Sequence, residues 1–85
     1  MVPTVLQTVH ALFAKIMKLP ADGVNVDADL FEFYGVDSLK AVKLLSHVEV
    51  EYDIILPDDA VSGVRTLREV ATVVERVRAQ NGALS

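Results

Sequence analysis

Ser38 is the side chain whose neighbours point most directly to chemistry. It stands in the run Gly35-Val36-Asp37-Ser38-Leu39, after a glycine turn and at the mouth of an amphipathic segment. No general base accompanies it. The histidines are His10 and His47. His47 lies further along the helix that Ser38 opens, roughly 13 Å away at about 1.5 Å per residue. That is beyond hydrogen-bond reach, and a Ser-His-Asp triad needs each member to touch the next. A hydrolase built on Ser38 is therefore the weakest reading, and both histidines are expected on polar faces. Asp53, Asp58 and Asp59 offer oxygen ligands but lack the alternation and glycine of a calcium loop. They read as solvated carboxylates at a helix start, and no metal site is assigned. The glycines are scattered, so no glycine-rich phosphate cradle is formed. What remains is a hydroxyl poorly placed to react by itself and well placed to have something attached.

The elements that must hold this hydroxyl are helical. Thr4 to Lys18 reads as a first helix, with Val5, Val9, Leu12 and Ile16 at helical spacing and Leu6 and Phe13 widening the stripe. Pro3 precedes it, Pro20 closes it, and Lys15 and Lys18 suit the negative end of its dipole. Leu19 to Val36 is a long connection that side chains must pin. Leu30, Phe31, Phe33 and Tyr34, with Val24 and Val26, are the candidates, and a short helical turn is expected near Asp29 to Phe33. Ser38 to Tyr52 reads as the second helix with Asp37 as its N-cap. Its core stripe is Ala41, Leu44, Leu45, Val48 and Tyr52. Leu39, Val42 and Val50 fall outside that arc: Leu39 and Val42 either face solvent beside Ser38 or widen the core, whereas Val50 points almost opposite the stripe and is expected in solvent.

Ile54-Ile55-Leu56 has the pattern of a strand but no partner to pair with, so a buried loop is expected. Pro57 then opens a short helix through Val61. Thr66 and Glu69 form a capping box for a last helix whose face is Leu67, Val70, Ala71, Val74 and Val77. Asn81-Gly82 reads as its stop signal, with Ala83-Leu84-Ser85 fraying beyond. The expected fold is all-α: a small four-helix bundle of three longer helices and one short one, with a long first loop.

Eighty-five residues make a single domain, 1–85. The chain is 52% hydrophobic, which suits a compact core and excludes a disordered chain. Its net charge of −4 repels phosphate backbones, so no nucleic-acid partner is expected. The acids crowd the first connection (Asp22, Asp27, Asp29, Glu32, Asp37), whereas Arg65, Arg68, Arg76 and Arg78 fall late. Cysteine is absent, which excludes disulfides and thiolate sites and fits a cytoplasmic protein. The periodic, charge-interrupted start is neither a signal peptide nor a membrane span. The free ends suggest a discrete protein, while a domain excised from a larger synthase would look similar; a monomer is expected.

From Asp29 to Val74 the chain resembles acyl carrier proteins. The resemblance is carried by Asp37-Ser38-Leu39, by Gly35 two residues before the aspartate, by Glu49 and Glu51 near the end of the following helix, and by Leu56-Pro57-Asp58-Asp59. It implies that Ser38 carries a 4′-phosphopantetheine arm, flanked by Asp37 and Leu39. A phosphopantetheinyl transferase would move that arm from coenzyme A through a phosphodiester bond, and the terminal thiol would then hold an acyl or aminoacyl thioester. The protein would be a non-catalytic carrier serving loading and condensing enzymes. The docking surface implied is Leu39, Lys40, Val42, Lys43, Ser46, His47, Glu49 and Val50.

Two departures from the family pattern bear on cargo and partners. Fatty-acid carrier proteins usually present acids two and five positions after the serine, where this chain has Lys40 and Lys43. That difference predicts docking with enzymes other than housekeeping fatty-acid synthase, in specialised fatty-acid-like or polyketide-like biosynthesis. Lys40 also takes the N3 position, where an acid would complete a capping box; its alternative role is to neutralise the arm's phosphate. Val36-Asp37 replaces the Gly-His or Gly-Asp usual in peptidyl carriers. This favours acyl cargo and leaves a discrete aminoacyl carrier, loaded by an amino-acid-activating ligase, as the alternative. A plain helical adaptor docking through Leu39, Val42 and Val50 is the reading from outside the family.

Overall fold

The computed structural model describes residues 3–84, with side chains described as far as Gln80. Helix α1 spans Val5–Met17. Thr4 Oγ1 accepts from the Gln7 N–H at 3.1 Å, and Gln7 Oε1 accepts from the Thr4 N–H at 2.8 Å, a closed capping box. Lys18 ends the helix in the left-handed region, at φ 58°, and Pro20 stops it from resuming. Periodicity centres the apolar stripe on Leu12 and Ile16 and puts Phe13 at its margin. In the fold Phe13 is buried at the centre, while Leu12 and Ile16 are half-buried. The stripe is rotated because α1 packs against two helices, α2 (Ser38–Tyr52) and α4 (Leu67–Leu84), and the groove between them takes the largest side chain. The same rotation corrects the placement of His10. At about 100° per residue it falls between Phe13 and Ala14, both buried. It is half-buried, and its Nε2 has neither solvent nor a hydrogen-bond partner.

Helix α2 spans Ser38–Tyr52, buries Leu44 and Val48, and half-buries Ala41, Leu45 and Tyr52. Asp53 ends it in the left-handed region, a conformation that Asp tolerates better than most residues. Residues 54–56 form no strand: Ile54 and Leu56 are buried, and Ile55 points outward. Helix α3 is the short Asp58–Val61, and α4 is Leu67–Leu84. The Thr66–Glu69 box forms as the sequence suggests, with Glu69 Oε1 also accepting from the Arg65 N–H at 2.9 Å. Asn81 and Gly82 do not end α4, which continues through Ala83 to Leu84. Glycine weakens a helix by about 1 kcal/mol but does not by itself break one. Ser85 lies outside the described residues. Val9, Phe13, Val48, Leu67 and Val74 are almost fully shut off from water and form the junction of α1, α2 and α4.

The long first connection is held by apolar and polar contacts together: Leu30 and Val36 are buried, and Val24, Val26 and Tyr34 pack against the core. Besides a short 3₁₀ turn at Ala21–Gly23, it contains a hydrogen-bonded turn at Asn25–Ala28 and another near Asp29–Phe33, short of a full helix. Asp29 Oδ1 caps that turn by accepting from the Phe31 and Glu32 N–H groups, both at 2.8 Å. Its Oδ2 accepts from Arg65 Nε, and its Oδ1 also accepts from Arg65 Nη2 at 3.2 Å. Asp27 takes Arg68 in the same two-pronged way, at 2.6 and 3.2 Å. Two main-chain bonds fasten the loop to the start of α4: Leu30 N–H to Arg65 C=O at 2.7 Å, and Arg68 N–H to Val26 C=O at 3.1 Å. Of the four pinning side chains suggested by the sequence, Leu30 is buried and Tyr34 is half-buried, edge-on to Phe13 at 5.3 Å. Phe33 is largely exposed, and Phe31 lies under the Arg65 guanidinium at 5.1 Å. Phe31 and Phe33 stay outside the core, Val24 and Val26 pack half-buried against it as the sequence suggests, and the exposed arginine pairs add to this apolar anchoring.

Candidate functional site

Ser38 is the first residue of α2, and its side chain faces solvent. Three neighbouring features fix it there. Gly35 adopts φ 67°, which L side chains avoid. That reversal lets the Val36 N–H reach the Leu30 C=O at 3.0 Å and drops the Val36 side chain into the core. Asp37 then caps the helix: its Oδ1 accepts from the Lys40 N–H at 2.8 Å, and its C=O accepts from the Ala41 N–H at 3.0 Å. The hydroxyl thus projects from a rigid corner two residues after a buried anchor. The Ser38 and Leu39 N–H groups sit in the first turn and have no intrahelical acceptor.

The charges behind this corner are mostly paired. The hydrogen bond from Arg65 holds the Asp29 carboxyl below its ordinary 3.8, helped by the Glu32 N–H. Arg68 does the same for Asp27. Sequence reading saw the acid-rich loop and the late arginines but not their pairing, because each pair spans about forty positions. One turn beyond Ser38 lies an apolar cavity of about 70 Å³, lined by Leu30, Phe31, Val36, Ala41, Leu45 and Val70 among others. It is well below the roughly 300–1,000 Å³ of ordinary ligand pockets. Ser38 and His47 form no triad, since both lie on α2 roughly 13 Å apart at about 1.5 Å per residue, and among the described residues no cluster of three or more metal-ligating side chains occurs.

The remaining residues of the suggested surface divide in two. Leu39, Lys40, Val42, Lys43, Ser46, His47 and Val50 are all exposed. Glu49 is half-buried, and its Oε2 accepts from the Leu56 N–H at 2.7 Å, so it serves the fold. Ile55 joins the exposed apolar residues at 79%. Its outward direction follows from the alternation of an extended segment anchored by Ile54 and Leu56, a signal present in the sequence but not used there.

Residues 7–74 match the family model described as a phosphopantetheine attachment site. The chain belongs to the acyl carrier protein family. It is similar to Acyl carrier protein 3 of Ralstonia nicotianae, 25% identical over 95% of this chain and 93% of that one. It is similar to an acyl carrier protein of Akkermansia muciniphila, 28% identical over 85% and 90%. A third relative, an acyl carrier protein of Bdellovibrio bacteriovorus, is 33% identical over 65% and 70%. Membership brings with it a covalently attached 4′-phosphopantetheine, and the residues of this corner fit such a group. An exposed hydroxyl offers the ester oxygen. The unpaired first-turn N–H groups and the positive end of a 15-residue helix suit a phosphodiester anion. No helix among the described residues is long and apolar enough to cross a membrane.

Proposed function

We propose that Ser38 Oγ is the point of attachment of the 4′-phosphopantetheine arm, and that the domain is a non-catalytic carrier presenting acyl thioesters to partner enzymes. The observation that carries this is the exposed hydroxyl at the capped start of α2, inside the stretch that matches the family. When bound, the arm supplies a thiol that holds cargo as a thioester. The chain's own residues provide the platform. Val36 and the Asp37 cap keep the helix start rigid, the free N–H groups balance the phosphate charge, and the absence of a base near Ser38 leaves the attached ester undisturbed.

The chemistry of loading and condensation then belongs to partners, a phosphopantetheinyl transferase first. Lys40 and Lys43 support a specialised fatty-acid-like or polyketide-like pathway, and Val36-Asp37 supports acyl over aminoacyl cargo. The cysteine-free composition supports a cytoplasmic place. We read residues 1–85 as one domain acting as a monomer.

The test is incubation with coenzyme A, magnesium and a broad-specificity transferase, followed by intact mass. Wild type should gain one phosphopantetheine-sized increment and Ser38→Ala none. An unmodified wild type, or a modified Ser38→Ala, overturns the assignment. The mass of the endogenous thioester then separates acyl from aminoacyl cargo.

A further inference from the structure

We propose that the outward face of α2 docks on an enzyme surface whose apolar contact is rimmed by aspartate and glutamate side chains. The proposal rests on the carrier reading in taking the partner to be an enzyme that meets the arm.

The face is defined by geometry. At about 100° per residue, Val42, Ser46, Leu39, Val50 and Lys43 lie within about 100° of one another, with His47 and Lys40 on one flank. The buried Leu44 and Val48 sit on the opposite side of the helix. The three apolar members are open to water at 77% (Leu39), 60% (Val42) and 83% (Val50). Single exposed apolar residues are ordinary, but three sharing one helix face beside the reactive corner form a contact surface.

The charges on this face are of one sign. Lys40 and Lys43 are exposed, in a protein whose net charge is −4. Among the described residues neither lysine is ion-paired with an acid. Asp37 and Glu49 keep their charge, but their carboxylates are turned to the Lys40 and Leu56 N–H groups rather than to a lysine ammonium. Asp27 and Asp29 are taken by Arg68 and Arg65. Glu51 stands on the Lys40 flank but far along the helix, about 16 Å away at about 1.5 Å per residue, beyond the roughly 8 Å screening length of physiological salt. A matching partner therefore presents negative charge around an apolar patch, which sets approach rate and discriminates against basic surfaces. A second copy of the same face would meet Lys40 and Lys43 with its own lysines and be repelled.

The experiment uses the arm-loaded full chain and, as probes, two forms of one ketosynthase: one with a lysine- and arginine-rich carrier-docking patch, and one with those side chains replaced by glutamate. Dissociation constants are measured from about 50 mM to about 500 mM salt. Wild type should bind the acidic form roughly tenfold tighter at low salt, the size expected of a few exposed charge pairs, with the gap shrinking at high salt. Lys40→Glu/Lys43→Glu should reverse the preference. Leu39→Ala/Val42→Ala should weaken binding to the acidic form several-fold at all salts. A preference unmoved by the lysine reversal, or tighter binding to phosphatidylglycerol vesicles than to the acidic ketosynthase, overturns the proposal. The preference should persist in Ser38→Ala, which cannot carry the arm at that position. Failure of arm loading by intact mass therefore sinks the carrier reading, and failure of the charge reversal sinks this one.

Discussion

Asp37→Ala tests the link between fold and function directly. Asp37 Oδ1 accepts from the Lys40 N–H at 2.8 Å. Removing an Asp cap costs about 1 kcal/mol, within about 0.5–2. For 85 residues the unfolding entropy is about 0.18 kcal/mol/K, so the loss should lower Tm by about 5–6 °C. That is a modest part of a total stability of roughly 4–13 kcal/mol, and the variant remains folded at 20 °C. Asp37→Asn keeps an acceptor oxygen and should melt within about 2 °C of wild type. The functional consequence follows from position. Ser38 is the next residue, and without the cap the first turn opens more often. Arm loading at 20 °C should therefore slow several-fold in Asp37→Ala and recover in Asp37→Asn. Melting by far-UV circular dichroism and loading by intact mass read the two effects separately. An alanine variant that melts and loads like wild type refutes the reasoning. An asparagine variant that melts normally but loads slowly shows that the transferase reads the negative charge of Asp37, and the positioning argument is then wrong.

Asp27 and Asp29 make stability fall in acid. Their carboxyls are held below the ordinary 3.8 by hydrogen bonds from Arg68 and Arg65, so their contribution is complete above that value and is lost as pH falls through the lower folded values. Asp27→Asn/Asp29→Asn should flatten the decline in urea midpoint below about pH 4, and an unchanged acid limb would contradict the pairing. Glu49→Ala leaves the part-buried Leu56 N–H without an acceptor and should cost about 1–3 kcal/mol by urea unfolding. Glu49→Gln restores most of that, whereas equal losses in both would mean that the carboxylate charge matters more than the bond. Leu67 is fully buried where α4 meets the core, and Leu67→Ala should cost about 2–5 kcal/mol, enough to leave little reserve. A midpoint close to wild type would show that the site collapses around the gap.

Local signals carried most of the helices. The Asp37 cap, the Thr66–Glu69 box and the 3.6-residue periodicity involve neighbours within one turn, so α2 and the start of α4 follow from composition and spacing alone. So does the exposure of Val50, which points almost opposite the core stripe, whereas Leu39 and Val42 could have widened the core and only the fold leaves them in solvent. Ser38 at the head of that helix was readable for the same reason.

What the sequence could not specify is the partner of each group across the fold. The rotation of α1 that buries Phe13 and encloses His10 depends on two helices meeting it at once. The long loop is fastened by Asp29 to Arg65 and Asp27 to Arg68, pairs far apart along the chain, and no periodicity encodes such a distance. Glu49 looked like surface charge until its carboxylate met the Leu56 N–H. Helix caps and amphipathic faces are one-turn physics and belong to the sequence. Which acid is left free for a partner, and which is tied to a group inside the domain, is decided only when distant segments are brought together.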